Sequence, residues 1–149
     1  MTLRARTAPL VVLALALLLP AGLRAAANGG SVIAMTNPGG IRTDLLYNQI
    51  SGGEQIGQVT YAEAFAVQPF SNLMVAMDLT GAQLKAALEQ QFVGCGQPVN
   101  GQKILQVSAG FTYSWSASAA CGSKISNMML NGTPIDLATT YRVTVNNFL

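Results

Sequence analysis

Hydrophobic and polar residues alternate along two stretches of the chain, and short apolar runs mark several more. Apolar side chains occupy every second position over residues 73–79, and again over residues 141–145. This period of two is typical of β-strands with one buried face. Further strands are predicted at residues 31–35, 103–107, 111–115 and 125–130, the last followed by the turn-forming pair Asn131-Gly132.

Two N-terminal capping boxes predict helices. Thr60 is followed three residues later by Glu63, and Thr80 by Gln83. This spacing lets the side chains at both positions accept backbone N–H groups at the start of a helix. In the second helix, four apolar residues share one face before Gly94 ends it: Leu84, Ala87, Leu88 and Phe92. The elements together predict an α+β fold: a single domain with a mixed or antiparallel sheet and two or three helices, preceded by a signal peptide.

Residues 1–27 have the pattern of a secretory signal peptide. Arg4 and Arg6 form a positive amino-terminal region, residues 8–19 form an apolar core, and small residues precede a predicted cleavage site after Ala27. A membrane anchor is the alternative, but a helix of about 12 apolar residues rises only about 18 Å, against a hydrocarbon core of about 30 Å. We expect residues 28–149 to form one secreted or periplasmic domain that is free of the membrane after cleavage.

Charge and composition exclude several classes of function. The chain has eight lysines and arginines and six acids, but three of the arginines lie in the predicted signal peptide, which leaves a net charge of −1. The remaining cations are scattered, so no nucleic-acid-binding surface is expected. The chain contains no histidine, which excludes Ser-His and Cys-His nucleophile pairs and any His-ligated metal site. The acids form no cluster in sequence, and no catalytic or metal-binding residue is assigned.

Cys95 and Cys121 are the only two cysteines of the chain. In an oxidising compartment they are predicted to form a disulfide, because each lies beside glycine in a loop-like segment. Two free, buried thiols are the alternative.

Residues 37–42, with the sequence Asn-Pro-Gly-Gly-Ile-Arg, carry the most specific local pattern. Paired glycines allow a ligand to approach the backbone, and successive N–H groups can surround an anion. Asn37 can donate and accept hydrogen bonds, and Arg42 offers a planar donor for phosphate or carboxylate. A plain turn with a surface arginine is an equally good interpretation of this pattern alone.

Phe70 and Phe148 both lie in loop-like segments, after Pro69 and after two asparagines. Taken singly, each phenylalanine is best interpreted as a core residue. A pair of aromatic rings on loops can clamp a flat heterocycle, but nothing local places these two rings face to face.

Five stretches carry motifs in a recognisable order: residues 32–42, 59–70, 72–75, 79–84 and 141–149. Together they resemble the C-terminal domain of the secreted 5′-nucleotidase family, which also contains UDP-sugar hydrolases and cyclic-nucleotide phosphodiesterases. The resemblance implies that Asn37 and Arg42 hold a nucleotide or nucleoside, and that Phe70 and Phe148 sandwich its base.

The same resemblance implies what this chain lacks. In the family, a separate metallophosphoesterase domain binds two divalent metal ions and performs the hydrolysis. We therefore expect no cofactor in this chain. The expected partner is a nucleotide or nucleoside, and a separately encoded metallophosphoesterase domain is a candidate for a second partner. Relative to the family, the domain looks truncated at both ends. The expected function is nucleotide or nucleoside binding without catalysis; the alternative is a secreted structural or interaction domain that has lost its ligand.

Overall fold

The computed structural model describes residues 30–149 and a two-residue strand near the amino terminus; the rest of the predicted signal peptide, with its cleavage site, lies outside the described residues. The described part contains a 3₁₀ helix at Pro38–Gly40 and two α-helices, α1 (Tyr61–Val67) and α2 (Gly81–Glu89). The strands are β1 (Leu3–Arg4), β2 (Ile33–Thr36), β3 (Met74–Thr80), β4 (Gln106–Val107), β5 (Phe111–Trp115), β6 (Ile125–Leu130), β7 (Thr133–Pro134) and β8 (Thr140–Asn146). Among residues 30–149, no helix is long and apolar enough to cross a membrane.

The strands form two sheets instead of one. The first has the order β3-β8-β2-β4 and is mixed, because β2 runs parallel to β8 while the other pairs are antiparallel. The second has the order β1-β5-β6-β7 and is antiparallel throughout. The predicted α+β class, with a mixed or antiparallel sheet, is confirmed.

Both predicted capping boxes are present. The hydroxyl of Thr60 accepts from the backbone N–H of Glu63, and the Glu63 carboxylate accepts from the N–H of Thr60. Thr80 and Gln83 make the same reciprocal pair at the start of α2. The second helix ends earlier than its apolar pattern predicts, at Glu89 rather than near Gly94.

One hydrophobic core joins the two sheets. Helix α2 contacts both β3 of the mixed sheet and β6 of the antiparallel sheet. The largest fully buried side chains come from both sheets, from α2 and from the turn that follows it: Phe92, Phe111, Ile33, Leu84, Leu88 and Val143. Burial of these side chains, at about 1.5–3 kcal/mol each, drives the sheets together.

The predicted strand at residues 103–107 is much shorter in the structure, where only Gln106–Val107 pair with β2. The side chain of Gln91 takes the place of a partner strand, since its Oε1 accepts from the backbone N–H of Leu105 at 2.8 Å. The Tyr113 hydroxyl donates to the carbonyl of Leu105 at 3.2 Å. Both backbone groups of Leu105 therefore find their partners outside the sheet.

A buried carboxylate fastens the loop before β6 to α2. Glu89 accepts from the N–H of Ile125 at 2.7 Å and from the N–H of Gly122 at 3.0 Å. The predicted disulfide between Cys95 and Cys121 is present, with 5.5 Å between the Cα atoms. The carboxylate and the disulfide therefore hold the same loop from two sides.

We predict that Glu89→Ala lowers the free energy of unfolding by about 2–3 kcal/mol, because it leaves two backbone donors of this loop without their acceptor. Glu89→Gln keeps one acceptor oxygen and should cost less. Urea denaturation followed by Trp115 fluorescence measures both changes. Asp78→Asn, which affects an exposed ion pair with Arg142, is the control and should change stability by less than about 1 kcal/mol. An Ala variant as stable as the control would contradict this role.

We also predict that replacing both cysteines by serine lowers the free energy of unfolding by about 3 kcal/mol, because the disulfide closes a loop of 26 residues. The same denaturation assay, with reduced wild-type protein as a second comparison, tests it. Equal midpoints for the oxidised and reduced proteins would show that the bond adds no stability.

Candidate functional site

The site lies at one end of the mixed sheet, and strand direction puts it there. β2 and β8 are parallel, with Ile33 paired to Val143, so their carboxyl ends lie together. β3 is antiparallel to β8, with Met74 paired to Asn146, so its start lies at that same end. Three segments therefore converge there. They are residues 37–42 after β2, residues 68–73 before β3, and residues 147–149 after β8. We call this region the loop end of the mixed sheet.

Residues 37–42 leave β2 as a tight turn and not as an irregular loop. Asn37 precedes the 3₁₀ helix Pro38–Gly40, and its carbonyl accepts from the N–H of Gly40 at 3.1 Å. The N–H of Ile41 then donates to the carbonyl of Pro38 at 3.1 Å. Proline suits the first position of such a turn because its ring fixes φ and its missing N–H has no partner to lose. The turn fixes the backbone on which both Asn37 and Arg42 stand.

Arg42 joins this turn to the segment that carries Phe70. Its backbone N–H donates to the carbonyl of Val67, the last residue of α1, at 2.9 Å. Its guanidinium carbon lies 5.2 Å from the centroid of the Phe70 ring, within the range of a cation–π contact. The Phe70 ring remains 41% exposed. The structure thus brings together two predicted site residues that are far apart in sequence.

Phe148 reaches the loop end through the pairing of β8 with the start of β3. The N–H of Asn147 donates to the carbonyl of Leu73 at 2.9 Å, and the N–H of Leu73 donates to Oδ1 of Asn147 at 3.0 Å. The N–H of Phe148 donates to Oδ1 of the buried Asn146 at 3.2 Å. Its ring is 73% exposed. Phe70 and Phe148 are therefore both surface residues and not part of the core.

The two phenylalanine rings do not touch. Within residues 30–149 the ring pairs in contact are Tyr61–Phe65, Phe92–Trp115 and Phe111–Tyr113. The base sandwich between Phe70 and Phe148 therefore stays a prediction, with both rings at the same end of the sheet.

Sequence reasoning missed two polar residues beside Asn37. The Thr36 hydroxyl and the Gln68 side-chain amide both lie close to the buried Gly40. Oδ1 of Asn37 and Oγ1 of Thr36 are buried and lack a hydrogen-bond partner among the described residues. The position of Gln68 directly before Pro69-Phe70 was the available signal that it lies near the site. Nothing in the sequence, however, relates Gln68 to Asn37.

The groups with shifted pKa values lie outside the three site segments. The backbone N–H of Ser51 lowers the pKa of the Glu54 carboxyl, and the N–H of Ala138 lowers that of Asp136. Burial raises the pKa of the Tyr113 phenol. Arg42 is the single charged side chain of the three segments. Among residues 30–149, no group of three or more cysteines and acids is placed to hold a metal ion.

Known proteins are similar to the chain in both sequence and fold. A family model described as the 5′-nucleotidase, C-terminal domain, matches residues 5–149. The cell wall protein Lmo0130 of Listeria monocytogenes is 35% identical over 118 residues, covering 78% of this chain and 14% of that protein. The trifunctional nucleotide phosphoesterase protein YfkN of Bacillus subtilis is 35% identical over 125 residues, covering 80% of this chain and 8% of that protein.

The crystal structure of a 5′-nucleotidase precursor from Thermus thermophilus has the same fold, with a TM-score of 0.62 and 37% identity over 85% of this chain and 23% of that one. The chain spans less than a quarter of the length of each of these three proteins. Since the family model matches nearly all of the sequence, the chain belongs to the family of the 5′-nucleotidase C-terminal domain.

Proposed function

We propose that this domain binds the nucleotide or nucleoside of a 5′-nucleotidase-type hydrolase at the loop end of the mixed sheet. Asn37 and Arg42 make the polar contacts, and Phe70 and Phe148 stack on the base. The contact between the Arg42 guanidinium and the exposed Phe70 ring, at 5.2 Å, is the observation that carries the proposal. It brings a cation over one face of an exposed aromatic ring, so a group that can bind phosphate and a group that can stack on a base belong to one site.

Charge favours a phosphorylated ligand over a bare nucleoside. Among residues 30–149 the ion pair is formed by Arg142 and Asp78 and does not involve Arg42, so the charge of Arg42 is available to a phosphate. The aromatic rings have no means of telling a nucleotide from a nucleoside, because stacking uses only the face of the base. In this proposal Arg42 senses the phosphate and the two phenylalanines hold the base.

A metallophosphoesterase domain supplies the hydrolysis in this proposal, either within a longer polypeptide or as a separately encoded partner. Phosphate ester hydrolysis by a metal pair needs ions that hold the attacking and leaving oxygens, and we assign no residue of this chain to such a pair. The greater length of the related proteins, of which this chain spans 8–23%, supports a division of labour between domains.

We further propose that the domain works outside the cytoplasm, in a secreted or periplasmic setting. The disulfide between Cys95 and Cys121 supports this location, because such bonds persist in oxidising compartments. The signal-peptide pattern of residues 1–27 and the cell wall protein among the relatives point the same way.

We predict that the purified protein binds AMP more tightly than adenosine, in calorimetry and in Trp115 fluorescence. Phe70→Ala should weaken the binding of both ligands by about tenfold or more, because one stacking contact is lost. Arg42→Ala should abolish the preference for AMP, and added salt should reduce that preference in the wild type.

Two exposed residues away from the loop end provide matched controls. Arg142→Ala removes a guanidinium that pairs with Asp78 at 3.1 Å in the middle of the sheet. Tyr61→Ala removes an exposed aromatic ring at the far end of α1. Both variants should bind as the wild type does. Failure of the folded wild-type protein to bind either ligand would reject the proposal and favour a structural or interaction domain.

We also predict that the purified protein, supplied with Mn²⁺ or Mg²⁺, releases phosphate from AMP no faster than buffer does. Addition of a metallophosphoesterase domain from a relative should give metal-dependent release that Arg42→Ala slows. Phosphate release by the protein alone, at a rate that scales with its concentration after repeated purification, would overturn the assignment of catalysis to another domain.

A further inference from the structure

Three polar atoms from two segments of the chain lie beside Gly40. A Cβ atom added to that glycine would lie 3.0 Å from Oδ1 of Asn37, 3.6 Å from Oγ1 of Thr36 and 3.6 Å from Nε2 of Gln68. Gly40 is buried, so the three atoms border the inner side of the turn. A methyl group at position 40 would be tight against the Asn37 oxygen and in ordinary contact with the other two atoms.

The carboxamide of Asn37 has an inward and an outward end. Its oxygen faces the cluster and is buried. Its nitrogen lies 3.6 Å from the Cβ position of Gly39, which is exposed. The carboxamide therefore turns its acceptor to the interior and its donor toward the exposed Gly39.

Gln68 is the residue able to hold that orientation. Its backbone is fixed, because its N–H donates to the carbonyl of Ala64 at 3.3 Å and its carbonyl accepts from Phe70 at 2.8 Å. Its side-chain nitrogen is a donor that lies 3.6 Å from the Cβ position of Gly40, and the buried Asn37 oxygen lies 3.0 Å from the same position. An acceptor left alone in the interior loses the hydrogen bonds it makes in water. The structure shows no hydrogen bond to this oxygen, so the locked state requires the Gln68 side chain to rotate toward it.

We propose that Gln68, assisted by the Thr36 hydroxyl, is a positioning residue that locks the Asn37 carboxamide with its nitrogen toward the ligand. Asn37 then acts as a donor to an acceptor atom of the ligand, such as a ribose, phosphate or base carbonyl oxygen, beside the donors of Arg42. The identity of the ligand rests on the function proposed above; the orientation of Asn37 does not.

Nuclear magnetic resonance of the labelled, ligand-free protein tests the orientation directly. The side-chain NH₂ protons of Asn37 should show Overhauser contacts to Gly39 and exchange readily with water. The NH₂ protons of Gln68 should show contacts to Gly40 and exchange slowly. Contacts from the Asn37 NH₂ protons to Gly40 and Thr36, with none to Gly39, would overturn the proposal whether or not the protein binds nucleotides.

A double-mutant cycle with adenosine, a neutral ligand, tests the consequence for binding. Gln68→Met keeps the length of the side chain and removes its donor, and should weaken binding by about five- to tenfold. In the Asn37→Ala background the same substitution should have no further effect, because Gln68 acts through Asn37. Gln102→Met, at an exposed position, is the matched control and should leave binding unchanged.

The outcomes separate the two proposals. Additive effects of Gln68→Met and Asn37→Ala would show that Gln68 does not act through Asn37 and would reject its positioning role. Absence of adenosine and AMP binding by the folded wild type would reject the proposed function, while the Overhauser contacts would still decide the orientation of Asn37.

Discussion

The parallel pairing of β2 with β8 is the constraint on which the candidate site depends. These strands lie more than 100 residues apart in sequence, yet Ile33 pairs with Val143 and Ala34 with Thr144 in the same direction. A parallel pair brings two carboxyl ends to one edge, and the antiparallel β3 adds its own beginning there. The segments that carry Asn37 with Arg42, Phe70 and Phe148 meet for this reason. With an antiparallel pairing of β2 and β8, residues 37–42 would lie at the opposite end of the sheet from the other two segments.

The second sheet supports this arrangement through α2. The helix packs against both sheets, and its buried Glu89 accepts two backbone N–H groups from the loop that leads into β6. The disulfide ties the same loop at Cys121. The core between the sheets is fully buried, whereas Phe70 and Phe148 remain exposed at the surface.

The site itself combines one cation, one carboxamide and two exposed rings. None of these groups is by its nature a strong acid–base catalyst, whereas all of them suit recognition of a charged, planar molecule. Polar atoms of Thr36, Asn37 and Gln68 border the buried Gly40 on the inner side of the turn. Under the proposed function, recognition depends on this inner side as well as on the residues that face outward.

The sequence alone determined the elements whose signals are local. The capping boxes at Thr60 and Thr80, the alternation along β3 and β8, and the turn at Asn131-Gly132 depend on residues within a few positions of one another, and each predicts its element directly. The disulfide was predictable because only two cysteines exist. The family motifs pointed to the site residues, although they did not supply their geometry.

Only the tertiary structure decided which distant groups meet. The side chain of Gln91 accepts a hydrogen bond from the N–H of Leu105, at a position where the sequence predicted a strand. Glu89 binds a loop more than 30 residues away. Arg42 lies over the ring of Phe70. The side-chain nitrogen of Gln68 likewise came to lie beside Gly40, as the side-chain oxygen of Asn37 does. Local propensity is a matter of backbone neighbours, but a buried polar group takes whichever partner the packing of the core brings within hydrogen-bonding distance, and that partner leaves no mark in the pattern of hydrophobic and polar residues.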